Sequence, residues 1–166
     1  ETSDGAMDRG GGGLAVQRAS GLVRAERGVL LGNARAGLST ATRASLSGEA
    51  LVIVRSRAAA GEFGHGAIAS GGSRLELANS AIEQNAAAGL VVSGAAALLT
   101  GTRVAKNPVA LHLQDGVELL EVDTARPPAP NEAVVTRDCT FEENASRLGT
   151  GLLPLPPVRA VEAPGL

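Results

Sequence analysis

Residues 85–94 read Asn-Ala-Ala-Ala-Gly-Leu-Val-Val-Ser-Gly, which is a turn, a short apolar strand and a second turn. Similar short apolar segments recur along the chain, and glycine or polar residues interrupt each of them after a few positions. A helix would need apolar positions at 3.6-residue spacing over ten or more residues. The pattern therefore predicts a repetitive all-β fold.

Internal repetition supports this interpretation. A shift of 52 residues places Asn33 on Asn85, and the same shift places Gly37 on Gly89 and Leu38 on Leu90. Half of that shift is about one repeat, since Asn107 follows Asn85 after 22 residues. A fixed period of this size is typical of a solenoid, in which each repeat packs on its neighbours.

Each repeat carries an apolar residue three positions before a turn residue. Asparagine suits the turn because it tolerates the left-handed conformation, and because stacked side-chain amides can form a hydrogen-bonded ladder. The alternative is that these asparagines only mark unrelated loops. The pairs are Leu30 and Asn33, Ile82 and Asn85, Val104 and Asn107, Phe141 and Asn144, with Val52 and Arg55 in the same slot without asparagine.

The pattern of residues 13–17, 29–33 and 37–38 resembles the repeats of right-handed parallel β-helix proteins of the pectin-lyase-like superfamily, and in particular predicted secreted β-helix proteins of myxobacteria. The resemblance covers roughly residues 12–146. It implies a single-stranded right-handed parallel β-helix of about five to six coils, a coil being one turn of the solenoid. The superfamily contains lyases, hydrolases, epimerases, tailspikes and adhesins, so the resemblance assigns no activity.

Three regions are expected from composition. Residues 1–12 are polar and glycine-rich and form a flexible lead-in, residues 13–146 form the β-helix, and the proline-rich residues 147–166 form a strap over the last coil or a linker. The interval from Asn107 to Asn144 exceeds one coil by about 15 residues. We expect that excess to be a loop near residues 123–131, and a second, smaller loop at residues 57–65. Such loops are where a scaffold carries function.

Composition limits the partners. The net charge is −2 and no basic stripe is present, so nucleic-acid binding is not expected. No apolar run reaches the roughly 18 residues that a transmembrane helix needs. The chain begins at Glu1 and has an Arg-, Ala- and Gly-rich bacterial composition. We therefore expect a processed form or fragment of a larger protein that is secreted or held at the cell surface, with further β-helix coils upstream.

Three acidic residues are the weak catalytic candidates. Asp115, Asp123 and Asp138 lie in the most acidic region, and glycoside chemistry needs two carboxylates in one groove. The alternative is a solvated outer face and a charged loop. Only two aromatic rings, both Phe, are available to stack on a sugar.

The remaining reactive residues indicate no cofactor or metal. His65 is expected in a Gly-His-Gly turn, and His112 is expected to point outward between Leu111 and Leu113, with no third ligand at metal spacing. Cys139, the only cysteine, is expected on a strand as a small buried side chain rather than a nucleophile.

Two functions follow from these features. The first is a non-enzymatic β-helical scaffold or binding module of a larger secreted or cell-surface protein, with a polysaccharide or another cell-surface component as its partner. The second is a carbohydrate-active β-helix enzyme, a polysaccharide lyase, hydrolase or epimerase, or a fragment of one. Converging carboxylates would favour the second function.

Overall fold

The computed structural model describes residues 13–18, 21–58, 63–121 and 133–155. Within these ranges the chain contains no helix, and its strands form three all-parallel sheets. The chain visits the sheets in turn and returns to each of them one strand further along. The protein is therefore a parallel β-helix, as the sequence predicts, while the hand of its winding stays a prediction.

The sheets, here named A, B and C, differ in strand length. Sheet A contains β1 (Leu14–Gln17), β4 (Ala36–Ala41), β7 (His65–Ser70), β10 (Ala88–Ser93), β13 (Val109–Gln114) and β17 (Ser146–Thr150). Sheet B contains β2 (Leu22–Glu26), β5 (Ser45–Glu49), β8 (Arg74–Ala78), β11 (Ala96–Thr100), β15 (Ala133–Arg137) and β14 (Glu118–Glu121). Sheet C contains β3 (Val29–Leu31), β6 (Val52–Val54), β9 (Ala81–Glu83), β12 (Arg103–Ala105) and β16 (Thr140–Glu142).

The core is a stack of aliphatic layers inside the three sheets. Leu38, Leu46 and Ile53 each belong to a different sheet of the second coil, and all three are fully buried. In-register pairing repeats the layer about every 4.8 Å, so equivalent side chains stack in columns. The predicted inward pairs are confirmed in the core cluster: Leu14 and Val16, Leu90 and Val92, Leu111 and Leu113.

The corners between sheets use left-handed backbone, but at a different residue from the one predicted. Gln84, Lys106 and Glu143 have φ of 54°, 57° and 51°, and each of them immediately precedes a turn asparagine. The four turn asparagines named in the prediction, Asn33, Asn85, Asn107 and Asn144, have no positive φ. The prediction that asparagine supplies the left-handed residue is therefore wrong.

The second coil also corrects the predicted register. Ile53 pairs with Leu30 on one side and with Ile82 on the other. The residue three positions later is Ser56, so Ser56 and not Arg55 is the equivalent of Asn33. Val52 is 39% exposed, as expected for an outward position next to a core residue.

The long fifth coil contains an extra strand. Glu118 of β14 pairs with Ala133 of β15, which is an offset of the expected 15 residues. β15 takes the sheet B position next to β11, and β14 lies beyond it at the end of the sheet. The excess residues are thus partly a strand that extends sheet B, and residues 123–131 lie outside the described residues.

The described C-terminal residues cross the outer face of sheet A. β17 ends at Thr150, four residues past the predicted end of the β-helix. Residues 151–155, here called the strap, follow it, and Leu153 and Leu155 pack on an outer cluster of four buried residues. The cluster consists of Ala36, Ile68, Ala88 and Val91. Residues 1–12, the predicted lead-in, and 156–166 lie outside the described residues.

Candidate functional site

Asp115 lies at the corner that follows β13. It is exposed, its φ is 59°, and its carboxylate accepts a hydrogen bond from the Ser93 hydroxyl of the preceding coil. A shallow pocket of about 340 Å³ adjoins it, lined by residues 113–117 and 150–152. The hydrogen bond gives Asp115 a role in joining two coils.

Asp138 lies at a different corner, between sheets B and C. It follows β15, whereas Asp115 precedes β14, and these two strands are paired neighbours. The five residues of β15 rise by roughly 16 Å, so at least that distance separates the two corners along the sheet. Carboxylates that act together on a glycosidic bond lie within about 10 Å. The structure does not bring Asp115 and Asp138 together, and Asp123 lies outside the described residues.

A second recess lies on the outer face of sheet B. It measures about 360 Å³, and Arg43, Arg74 and Glu76 line it together with Leu22 and Ser45. The Nε atom of Arg74 donates to Glu76 at 2.7 Å, and Arg43 is exposed at the corner before β5. We call this recess the sheet B groove. Its guanidinium, carboxylate and hydroxyl groups suit a ligand rich in hydroxyl groups.

Sequence reasoning did not find the sheet B groove. Its residues are scattered along the chain, and only the strand register places Leu22 beside Ser45 and Ser45 beside Arg74. The sequence signal for the groove was the set of outward-facing positions in the sheet B strands. Reading it requires the coil lengths, because the second coil is 29 residues long between equivalent positions and its neighbours are shorter.

Three of the four predicted turn asparagines, Asn85, Asn107 and Asn144, form a hydrogen-bonded column inside the corner between sheets C and A. Asn33 does not join it, because Ser56 occupies the slot in the next coil and the buried Asn33 amide nitrogen has no hydrogen-bond partner among the described residues. The Asn107 side-chain oxygen accepts from both the backbone N–H and the side-chain amide of Asn85, each at 3.0 Å. Asn144 accepts in the same way from Asn107, at 3.0 and 3.2 Å. Asn85 accepts from the backbone N–H of Ser56 at 3.0 Å. These residues satisfy buried backbone groups and leave no side-chain oxygen directed at solvent.

A column of glycines lies against the asparagine column. A Cβ atom on Gly66 would lie 2.7 Å from the Asn85 amide nitrogen, and one on Gly89 would lie 3.1 Å from that of Asn107. The same crowding relates Gly37 to Ser56 in the second coil, at 3.2 Å from its hydroxyl oxygen. The repeated glycine therefore provides the space that the turn side chain of the same coil occupies.

Cys139 belongs to a third column, at the corner between sheets B and C. It lies just before β16 rather than on a strand, and its Sγ donates to the Arg137 carbonyl at 3.3 Å. Ser80 and Thr102 make the same bond to the carbonyl two residues earlier, at 2.7 and 3.1 Å. Burial raises the pKa of the Cys139 thiol, which disfavours the thiolate that a nucleophile needs.

We expect Cys139→Ser to fold with nearly unchanged stability, within about 1 kcal/mol, because serine and threonine already fill this slot in the two preceding coils. Urea unfolding followed by circular dichroism measures the change. Cys139→Val is the matched variant, since it keeps the size and removes the donor. A loss of several kcal/mol for the serine variant would contradict the assignment of Cys139 to this column.

Charged side chains on sheet C connect three successive coils. The Arg103 guanidinium contacts Glu83 in one neighbouring strand and, at 3.0 Å, Glu142 in the other. Hydrogen bonds to Glu142 and then Glu83 raise the pKa of Arg103. Like the asparagine side chains, these charged side chains bond one coil to the next.

The two histidines lie on the outer side of sheet A, beneath the strap. His65 opens β7 instead of sitting in a turn, and its side chain is 1% exposed. His112 points outward from its strand, as predicted, and is nevertheless 6% exposed. Among the described residues, no group of three or more His, Cys, Asp or Glu side chains is arranged to hold a metal ion.

Comparisons with protein-family models, curated proteins and solved structures found no match for this chain. No helix long and apolar enough to cross a membrane occurs in the described ranges.

Proposed function

We propose that this chain is a non-enzymatic β-helical scaffold that binds a polysaccharide or another hydroxyl-rich surface component, as a module of a larger secreted or cell-surface bacterial protein. The observation that carries the proposal is that polar side chains of the described residues form hydrogen bonds and ion pairs between successive coils. Asn85, Asn107 and Arg103 each connect one coil to the next. Asp115 does the same through Ser93.

The separation of the two described carboxylate candidates favours the scaffold over the carbohydrate-active enzyme. Asp115 lies before the start of β14 and Asp138 lies after the end of the neighbouring strand β15, and catalysis by a carboxylate pair needs both in one groove. Kinship with the pectin-lyase-like superfamily and with secreted bacterial β-helix proteins is part of the same proposal. Its support is the 52-residue repeat together with the parallel sheets.

The sheet B groove is the binding site we propose. Arginine forks donate several hydrogen bonds to sugar hydroxyls or carboxylates, and Arg43 reaches the groove from an exposed corner. A glycan array probed with the labelled protein should show bound glycans. We expect Arg43→Ala to lower the affinity for these glycans tenfold or more, which is on the order of one lost charge-assisted contact. Arg55→Ala is the matched control, because Arg55 lies after β6 and bonds Gln84 outside the groove.

Two results would contradict this function. Release of unsaturated uronate or reducing sugar from an array-positive glycan would establish the enzyme instead. An antibody against the domain should detect a protein larger than 16.6 kDa in the medium or on intact cells of the source organism. A 16.6 kDa species confined to the cytosol would exclude the larger surface protein.

A further inference from the structure

The strap closes over two buried imidazoles. The His112 ring bonds the Gly151 carbonyl through Nε2 at 3.1 Å. Gln114 holds the next part of the strap from both sides, because its Oε1 accepts from the Leu153 N–H at 2.9 Å and its Nε2 donates to the Leu153 carbonyl at 3.5 Å. The Gly149 position keeps room for His112, since a Cβ there would lie 2.7 Å from Nδ1.

His65 is the less satisfied of the two rings. Within the described residues, neither of its nitrogens has a hydrogen-bond partner, although the side chain is 1% exposed. The Pro154 carbonyl of the strap lies near the ring without meeting hydrogen-bond geometry. A buried polar group in this state is costly when neutral and much more costly when charged.

The described surroundings contain no carboxylate that faces His65. The adjacent strands β4 and β10 have no charged residue, and β6, β11 and the strap have none. Of the other elements nearby, β13 contributes His112, the corner before β4 contributes Arg35, and β9 contributes Glu83, which binds Arg103 on sheet C. The Arg35 backbone carbonyl accepts a hydrogen bond from the backbone N–H of His65 at 2.8 Å.

We propose that the strap is a pH-released cover, held on the outer face of sheet A by the His112 hydrogen bond and closed over neutral His65, and that proton uptake by His65 opens it and exposes the apolar cluster of Ile68 and Val91. An imidazolium ion at His65 beneath an apolar segment would lack both water and a hydrogen-bond partner. Opening the strap restores water to the His65 ring. The proposal is independent of the ligand of the sheet B groove.

The direction of the pH effect follows from His65. Burial lowers its pKa to about 4, the Pro154 carbonyl partly opposes this, and the charge of His112 reinforces it. An exposed imidazole has a pKa of about 6.5, so the open state binds protons more tightly. The closed state is fully favoured above about pH 6.5 and is lost as the pH falls toward 4. The equilibrium constant for opening then rises about 20-fold from pH 7 to pH 5, and about 240-fold from pH 7 to the acid limit.

A single tryptophan can report the opening, because the chain has no Trp and no Tyr. Leu155→Trp places the reporter where the strap packs on the cluster. Its emission should shift to the red between about pH 6.5 and about pH 4, while the β-sheet circular dichroism stays constant. His65→Phe in the same background should hold the blue emission through this range. Leu152→Trp is the control, since Leu152 is 87% exposed and its emission should be red throughout.

The proposal is overturned if the emission of Leu155→Trp does not move before the sheets unfold, or if His65→Phe shifts equally. A second measurement avoids any disturbance by the new tryptophan. In the unmodified chain with labelled histidine, NMR should give His65 a pKa well below 6.5, and the Leu153 amide signal should change with the same midpoint. An ordinary His65 pKa, or a Leu153 signal that is constant with pH, would equally overturn it.

Discussion

Gly66→Ala should destabilise the protein by about 3 kcal/mol or more, since overpacking a well-packed core costs about 1–3 kcal/mol and more where backbone must move. The added Cβ would lie 2.4 Å from Cγ2 of Ile82 and 2.6 Å from the carbonyl oxygen of Gly89. One of these contacts is a core side chain and the other is backbone of the next coil. Neither group can move without shifting the hydrogen-bond ladder between successive coils.

Urea unfolding followed by circular dichroism measures this loss. Gly21→Ala is the matched control, because its Cβ would meet nothing within 4 Å and its φ is not positive. Gly116→Ala measures the strain of left-handed backbone without crowding, since that position is also open but has a φ of 76°. It should lose only about 1 kcal/mol for left-handed strain. A Gly66→Ala loss no larger than that of Gly116→Ala would contradict the crowding argument.

The repeat could be predicted from the sequence because each coil must place the same residue types at the same corner. Asn33 and Asn85 are separated by two coils, so a single shift relates them. The pattern of Leu90 and Val92 fixes the inward face, because strand side chains alternate. Each of these signals is local, and it recurs along the chain because the coils stack in register.

Other features depend on contacts that the repeat does not encode. β14 is an ordinary short strand in sequence, and only its pairing beyond β15 places it at the end of sheet B. His65 follows a glycine and precedes another, which is typical of a turn, but pairing with Ala36 makes it a strand residue. Its proximity to the Pro154 carbonyl comes from a segment almost 90 residues away.

The left-handed corners show the limit of residue preference. Arg55, Gln84 and Lys106 adopt positive φ although asparagine stands next to the latter two. The asparagine side chain is needed one position later, where it reaches buried backbone groups. The preference of asparagine for the left-handed region is therefore overridden by hydrogen bonding, at an expense of about 1 kcal/mol for each non-glycine residue in that region.

Asn107→Ala should cost about 3–5 kcal/mol, because it removes several buried hydrogen bonds and leaves their partners unsatisfied. The Asn107 side chain is buried, donates to the carbonyls of Ile82 and Ala105 at 3.0 and 2.9 Å, and accepts from the Asn85 backbone. Asn144→Ala should cost less, since Asn144 is only half-buried and has no further asparagine stacked on it in the described part of the chain.

Two further variants distinguish the loss of hydrogen bonds between coils from the loss of an amide side chain by itself. Asn107→Asp keeps the acceptor for Asn85 but loses the donors to Ile82 and Ala105 and buries a charge, so it should be at least as damaging as alanine. Asn79→Gly removes an exposed asparagine with a φ of 48°, which glycine adopts freely, so it should be nearly neutral. Urea unfolding ranks all four. If Asn107→Ala were as mild as Asn79→Gly, the column would not hold the coils together, and their cohesion would come from the aliphatic layers alone.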